Sequence, residues 1–202
     1  MKKILTICMI AAVLAISSAA KAVIVDPDVF PAGTVLNNAY PSVTLTALGD
    51  PGVLLNSDVV AVASTYASTG FNLFGNNDAH GFDDCWGDGY FDWLQVDFIG
   101  GATTVSLDYI TNNAGDDNAV LRAFDNFGVE VDSDGPYYVP GPAGTYRTLT
   151  VSAPYIARIV AEWDEINRKE NGMLDCLVYT PVPEPGTLCL LGLGAVMLRR
   201  KR

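Results

Sequence analysis

The feature that most constrains the fold is a series of short segments in which apolar and polar residues alternate. Leu94, Val96 and Phe98, for example, alternate with Gln95 and Asp97. A period of two residues is typical of strands with one buried face. Such strands are predicted at residues 43–47, 94–98, 105–109, 119–124, 129–131, 146–151, 156–161 and 174–179.

Turn-forming residues separate these segments. Clusters of Gly, Pro, Asn and Asp stand at residues 100–101, 112–115, 132–136 and 140–142, and residues 125–128 are typical of a hairpin turn. Short strands at this spacing predict one all-β domain over residues 23–180, a β-sandwich or jelly roll. The segment 158–169 also fits a helical face, so a partly helical alternative stays open there.

Charge divides the chain into three segments. Residues 23–180 hold 22 acidic and five basic residues, a net charge of −17, and the other seven bases lie near the two ends. This balance argues against nucleic acid as a partner, because phosphate binding needs clustered Lys and Arg. Half of all residues are hydrophobic, which excludes a disordered chain.

The N-terminus has the pattern of a signal peptide. Lys2 and Lys3 precede an apolar run over residues 4–16, and Ala20-Lys21-Ala22 is a small-x-small cleavage site. We predict a signal peptide over residues 1–22 and export into an oxidising compartment, with an uncleaved anchor as the alternative.

The C-terminus combines an extended motif, a short apolar run and a basic end. Pro183-Glu184-Pro185 is followed by 11 residues from Leu188 to Leu198 and then by four basic residues. The run is shorter than the roughly 20 residues that span a bilayer, and the basic end favours the cytoplasmic side. A tail of this kind predicts a transient stop in the inner membrane.

This tail resembles the PEP-CTERM sorting signal of Gram-negative bacteria, over about residues 181–202. The resemblance implies that the membrane enzyme exosortase reads Pro183, Glu184 and Pro185 and cleaves near them. It also implies a place in the cell envelope or outside the cell, together with exopolysaccharide and biofilm matrix. An ordinary C-terminal anchor, a sorting helix that persists as a transmembrane helix, is the alternative.

The middle segment resembles the ectodomains that often precede such tails. The similarity lies in residues 30–36, 94–98, 105–109, 121–125 with Gly128, and 174–177. It implies a galactose-binding-like jelly roll over about residues 28–180.

Two candidate ligand sites fall in one Gly-rich stretch between predicted strands. Oxygen ligands on a loop suit Ca²⁺, and the candidate ligands are Asp78, Asp83, Asp84 and Asp88. Ordinary turn chemistry is the alternative for these residues, and no other cofactor is predicted. Trp86, Tyr90 and Trp93 are candidate saccharide contacts, with burial in the core as the alternative.

The cysteines predict one disulfide. Cys8 lies in the predicted signal peptide and Cys189 in the apolar tail, which leaves Cys85 and Cys176 in the exported domain. An even count in an oxidising compartment favours pairing, with two unpaired thiols as the alternative. Cys176 is expected on the last strand, on the same face as Leu174 and Val178.

No sequence motif indicates catalysis. His80 is the only histidine, and Gly-x-Ser-x-Gly, His-Glu-x-x-His and P-loop motifs do not occur. We therefore expect a non-enzymatic exported protein, structural or carbohydrate-interacting. The alternatives are a secreted hydrolase that uses a carboxylate pair and a permanently anchored sensor ectodomain.

Overall fold

The computed structural model describes residues 20–49, 58–78, 81–83, 93–112, 118–139, 141–163 and 172–183. Nearly all of the predicted signal peptide and the sorting segment from residue 184 onward lie outside these ranges. Within them, no helix has the length and apolar character needed to cross a membrane.

The described part of the chain is built from strands, all within one compact unit, Ala22–Pro181. The strands are β1 (Val23–Val25), β2 (Val43–Leu48), β3 (Asp58–Ala63), β4 (Asn72–Asp78), β5 (Gly81–Asp83), β6 (Trp93–Thr111), β7 (Asn118–Phe124), β8 (Glu130–Tyr138), β9 (Tyr146–Trp163) and β10 (Gly172–Pro181). One turn of 3-10 helix, Pro27–Val29, follows β1. The predicted all-β class is confirmed.

All strand pairs within the described ranges are antiparallel. The order is β3-β4-β10-β6-β9-β7-β8, with β1 added on β10, β2 on β6 and β5 on β4. The register pairs β2 with the first part of β6, from Val43↔Phe98 to Leu48↔Trp93.

Two long strands carry the sheet from one layer to the other. The predicted segments 94–98 and 105–109 are one strand, β6, of 19 residues, and segments 146–151 and 156–161 are one strand, β9, of 18 residues. The register between them shifts at residues 97–104, where Gly100 and Gly101 have φ of +86° and +82°. Residues 100–101, predicted as a turn between strands, are therefore a bend within a strand.

The bends divide the sheet into two layers around one core. The first half of β6 lies with β2, β7, β8 and the second half of β9, and the second half of β6 lies with β10, β4 and the first half of β9. Side chains from both halves meet in one cluster, such as Leu94 and Val96 with Leu107 and Leu149. The predicted β-sandwich is confirmed.

Three further local predictions are corrected. Residues 132–136, predicted as a turn, continue the edge strand β8. The partly helical alternative for residues 158–169 is wrong as far as residue 163, because β9 continues there and pairs with β7. The Gly-rich stretch begins as strand, since Asp78 ends β4 and pairs with Gly81 of β5.

Candidate functional site

The outer surface of the layer formed by β2, β6, β9, β7 and β8 carries cross-strand rows of mostly polar side chains. Antiparallel partners project on the same side of a sheet, so the register defines these rows. The first row is Thr44, Asp97, Arg158, Phe124 and Glu130, and the second is Thr46, Gln95, Val160, Arg122 and Ser133. We call these residues, with Trp93, Leu48 and Glu162 beside them, the polar face.

The polar face is formed by the side of each strand that points away from the core. On β2 and on the first part of β6, buried residues alternate with half-buried ones, and the buried set packs into the core. Gln95 and Asp97 therefore project away from the core on rigid strands. Side chains on strands are positioned more precisely than side chains on loops.

At the centre of the polar face, Asp97 and Arg158 lie directly opposite each other without an ion pair between them in the described part of the chain. Asp97 Oδ2 instead accepts a hydrogen bond of 2.8 Å from Gln95 Nε2. The Arg158 guanidinium carbon lies 5.3 Å from the centre of the Phe124 ring. Both side chains keep polar atoms that a bound molecule can use.

Arg158 also carries a buried donor that makes no bond. Its Nε–H is enclosed and has no acceptor among the described residues. A buried donor without a partner costs about 1–3 kcal/mol.

At the β7–β8 side of the polar face, Arg122 forms two ion pairs. Its Nε lies 3.2 Å from Glu162 Oε2, and its Nη1 lies 3.2 Å from Glu130 Oε2. Burial by itself lowers the pKa of the Arg122 guanidinium, but the charges and hydrogen bonds of Glu162 and Glu130 outweigh burial and raise it. Arg122 is therefore a charged, positioned support rather than a free cation.

Of the aromatic residues predicted to contact saccharide, Trp93 lies on the polar face. It begins β6, is half-buried and lies opposite Leu48. Trp86 and Tyr90 lie outside the described residues, so their part in the prediction remains untested.

Two of the four predicted Ca²⁺ ligands lie within the described residues. Asp78 and Asp83 lie on the paired strands β4 and β5, whereas Asp84 and Asp88 lie outside the described residues. No group of three or more His, Cys, Asp or Glu side chains suited to a metal occurs within the described ranges. The Ca²⁺ site remains a prediction.

Cys176 lies at a bulge where β10 gains one residue relative to β6, between the pairs Asp108↔Asp175 and Ser106↔Val178. Its φ of +48° is in the left-handed region. Leu174 and Leu177 both reach the core, so the expectation that Cys176 shares a face with Leu174 is wrong. Cys176 is half-buried and has no disulfide partner among the described residues. The pKa of its thiol is raised to about 11, first by burial and then by nearby carboxylates. Cys85 lies outside the described residues, and the disulfide remains a prediction.

The sequence did not indicate a second polar cluster, on the other layer. Asp108 and Asp175 are buried cross-strand neighbours on β6 and β10. The loop between β3 and β4 covers them, and its Ser68 hydroxyl lies 2.7 Å from Asp108 Oδ2 and 3.0 Å from Asp175 Oδ2. Thr69 N donates to Asp175 Oδ2 at 2.9 Å and Cys176 N donates to Asp175 Oδ1 at 2.8 Å. Burial raises the pKa of Asp175, and these hydrogen bonds oppose the increase.

These observations define an all-β sandwich domain with one polar outer face. Residues 181–202 match the family described as the PEP-CTERM protein-sorting motif, which confirms the resemblance of the C-terminal segment. A motif of this kind indicates export across the inner membrane to the envelope or surface. No curated protein matches the chain.

Several solved structures have a similar arrangement of strands. One is the K2 cleaved adhesin domain of Lys-gingipain, at 14% identity and a TM-score of 0.48 over 79% of this chain and 99% of that chain. A second is the CBM22-1 xylan-binding domain from Paenibacillus barcinonensis, at 11% identity and a TM-score of 0.42 over 80% and 96%. A third is a family 11 carbohydrate-binding module from Clostridium thermocellum, at 12% and 0.40 over 83% and 100%. At these values the likeness says nothing about a ligand of this chain.

Proposed function

We propose that the protein is an exported, non-enzymatic component of the cell envelope or extracellular matrix that binds polysaccharide through the polar face. Exosortase handles its C-terminal segment at Pro183, Glu184 and Pro185. The observation that carries the binding proposal is the pair Asp97 and Arg158, which lie opposite each other on the outer surface and form no ion pair with each other.

The chemistry of the polar face suits sugar hydroxyl groups. A hydroxyl both donates and accepts, so it can bridge a carboxylate such as Asp97 and a guanidinium such as Arg158. Trp93 supplies an amphipathic ring beside them, which can cover the apolar side of a sugar ring. Four further polar side chains extend the surface along the strands: Thr44, Thr46, Gln95 and Ser133.

The cross-strand carboxylate pair Asp108 and Asp175 does not support the alternative of a hydrolase. Asp108 is 8% exposed and Asp175 is fully buried. Their oxygens accept hydrogen bonds from Ser68, Thr69, Thr148 and the Cys176 amide. A glycosidase needs its two carboxyl groups on either side of a substrate bond, which this enclosed pair does not offer.

The test is binding of the mature protein to polysaccharide. Exopolysaccharide purified from the native host, with commercial neutral and acidic polysaccharides beside it, is cast into native gels, and retardation of the protein is measured. We expect retardation by the host polysaccharide. We also expect Arg158→Ala and Trp93→Ala to weaken the interaction at least tenfold, because each removes a group that only the polar face supplies.

Arg147→Ala is the matched control. Arg147 is also an arginine stacked on an aromatic ring, with its guanidinium carbon 3.7 Å from the centre of the Tyr137 ring, but it does not belong to the polar face. Circular dichroism confirms that each variant is folded. Equal retardation of the Arg158→Ala and wild-type proteins, or an equal loss in Arg147→Ala, would overturn the polar face as the binding surface.

A further inference from the structure

A pocket lies at the corner of the sandwich, next to the end of the polar face at Phe124 and Glu130. It has a volume of about 400 Å³ and lies between the tip of the β7–β8 hairpin and the bend of β9. Its lining residues are Asp125, Asn126, Val131, Ala153, Pro154 and Tyr155. We call it the corner pocket. Its volume is in the lower part of the range of small-molecule sites, which is about 300–1,000 Å³.

The aromatic wall of the corner pocket is held in place by a glycine. The Tyr155 ring lies so close to Gly101 that a Cβ atom on that residue would come within 2.4 Å of it. The backbone of β6 therefore supports the Tyr155 ring, which is still 40% exposed. An aromatic ring supported on one side and open on the other is a ready platform for an apolar ligand face.

The carboxylate of Asp125, on the polar wall of the corner pocket, is held in place by hydrogen bonds. Asp125 Oδ1 accepts hydrogen bonds from Phe127 N at 2.8 Å and from Val129 N at 2.9 Å, both within the hairpin turn. These bonds orient the carboxylate, and Oδ2 takes no hydrogen bond from the described residues. The exposed amide of Asn126 stands next to it on the same turn.

We propose that the corner pocket binds a single neutral pyranose residue. The ring of such a sugar has an apolar C–H face for Tyr155 and Pro154, and its neighbouring hydroxyl groups can donate to Asp125 Oδ2. An acidic sugar fits less well, because Asp125 and the net charge of −17 over residues 23–180 repel a carboxylate. The volume of the corner pocket, about 400 Å³, is large enough for one sugar ring.

This proposal rests on the proposed carbohydrate-binding function and adds a second binding site to it. The residues that line this second site do not belong to the polar face. The test is saturation-transfer NMR of the mature protein with the methyl glycosides of glucose, galactose and mannose, and with glucuronic acid. We expect a signal from at least one neutral glycoside and none from glucuronic acid. Tyr155→Phe should retain binding, and Tyr155→Ala should lower it at least tenfold.

Two neighbouring glycines provide a matched pair of variants. Gly100 and Gly101 both have positive φ, so alanine strains the backbone at either position, but only at residue 101 does the added Cβ meet the Tyr155 ring. Gly101→Ala should therefore abolish binding, whereas Gly100→Ala should keep it if the protein folds. Asp125→Asn preserves the Oδ1 acceptor of the turn, and it should weaken neutral glycosides and remove the discrimination against glucuronic acid.

The outcomes separate this proposal from the polar face. Loss of glycoside binding in Tyr155→Ala but not in Arg158→Ala supports the corner pocket, even if no polysaccharide binds the polar face. No binding of any neutral glycoside, tighter binding of glucuronic acid, or wild-type binding by Tyr155→Ala would overturn it. If Arg158→Ala alone removes glycoside binding, the sugar binds at the polar face and the corner pocket proposal is wrong.

Discussion

Asp108 on β6 and Asp175 on β10 share one hydroxyl group, that of Ser68, at 2.7 Å and 3.0 Å. A hydroxyl has one hydrogen, so it donates to only one of the two carboxylates at a time. A proton on the other carboxyl group would restore the second bond. Burial raises the pKa of Asp175 and so favours its protonated form, which can donate such a bond.

This relationship predicts a pH dependence of stability. The pKa of Asp175 in the folded protein is raised above its ordinary value of 3.8 by burial. Its contribution to the unfolding free energy is therefore fully present below about pH 4 and is lost as the pH rises through the raised pKa. Asp175→Asn does not titrate, so its stability relative to the wild type should improve as the pH rises from 4 to 7. Urea unfolding across this range measures the difference.

Thr46→Val is the control for this prediction. Thr46 is half-buried on β2 in the polar face and lies outside the Asp108–Asp175 cluster. This change removes no titratable group, so the stability difference from the wild type should stay nearly constant across the pH range. A constant difference for Asp175→Asn as well would show that Asp175 does not titrate as inferred.

The backbone of Cys176 predicts that glycine is preferred at that position. A φ of +48° is unfavourable for a residue with a Cβ atom and easy for glycine. Cys176→Gly should be more stable than Cys176→Ala by about 0.5–1 kcal/mol, after the entropy of glycine in the unfolded chain is subtracted. Both variants lack the thiol, so a disulfide or its absence affects them equally. Equal stability, or a more stable alanine variant, would count against strain at the bulge.

Intact-mass measurement and thiol labelling test the predicted disulfide between Cys85 and Cys176. The non-reduced mature protein should be lighter than the reduced protein by two hydrogen atoms, and denaturation without reductant should expose no reactive thiol. The raised pKa of Cys176, about 11, makes the reduced thiol a slow nucleophile in the folded protein, so labelling is done after denaturation. Two labelled thiols at that stage would exclude the disulfide.

Processing of both ends is the last prediction. The mature protein from the native host should lack residues 1–22 and the segment from Leu188 to Arg202, which intact-mass measurement tests. Glu184→Ala should accumulate unprocessed precursor, because the motif that exosortase reads is altered. Glu130→Ala, a change of the same chemistry on β8, is the control and should be processed normally. A mature mass that retains the basic end would favour a permanent anchor.

Part of the fold followed directly from the sequence. The segment at residues 43–47 coincides with β2, which buries one face and shows the period of two. The segment at 119–124 coincides with β7, where burial alternates from Leu121 to Phe124. β3 was not predicted because Val59, Val60 and Ala61 are all buried, and a strand without alternation has no periodic signal. Three residues of β1 are too few to show any period.

The candidate site was predicted only in part. The sequence identified Trp93 as an aromatic beside a loop, and it placed Gln95 and Asp97 on the polar side of a strand. It could not indicate that Arg158 and Arg122 stand on the neighbouring strands, because those contacts join residues far apart in the chain. Asp108 lies in the predicted strand at residues 105–109, and nothing local indicated that the β3–β4 loop would bury it.

The sequence by itself determined the class of the domain, the sorting motif and the core-facing side of the regularly alternating strands, such as β2 and the first part of β6. These properties depend on the identities of neighbouring residues, and the chain carries them before it folds. Only the tertiary structure decided that β6 and β9 bend into two layers, that Asp97 faces Arg158, and that Tyr155 rests on Gly101. Those relationships depend on register and on close packing between distant segments, and a one-residue slip in register would turn each side chain to the opposite face.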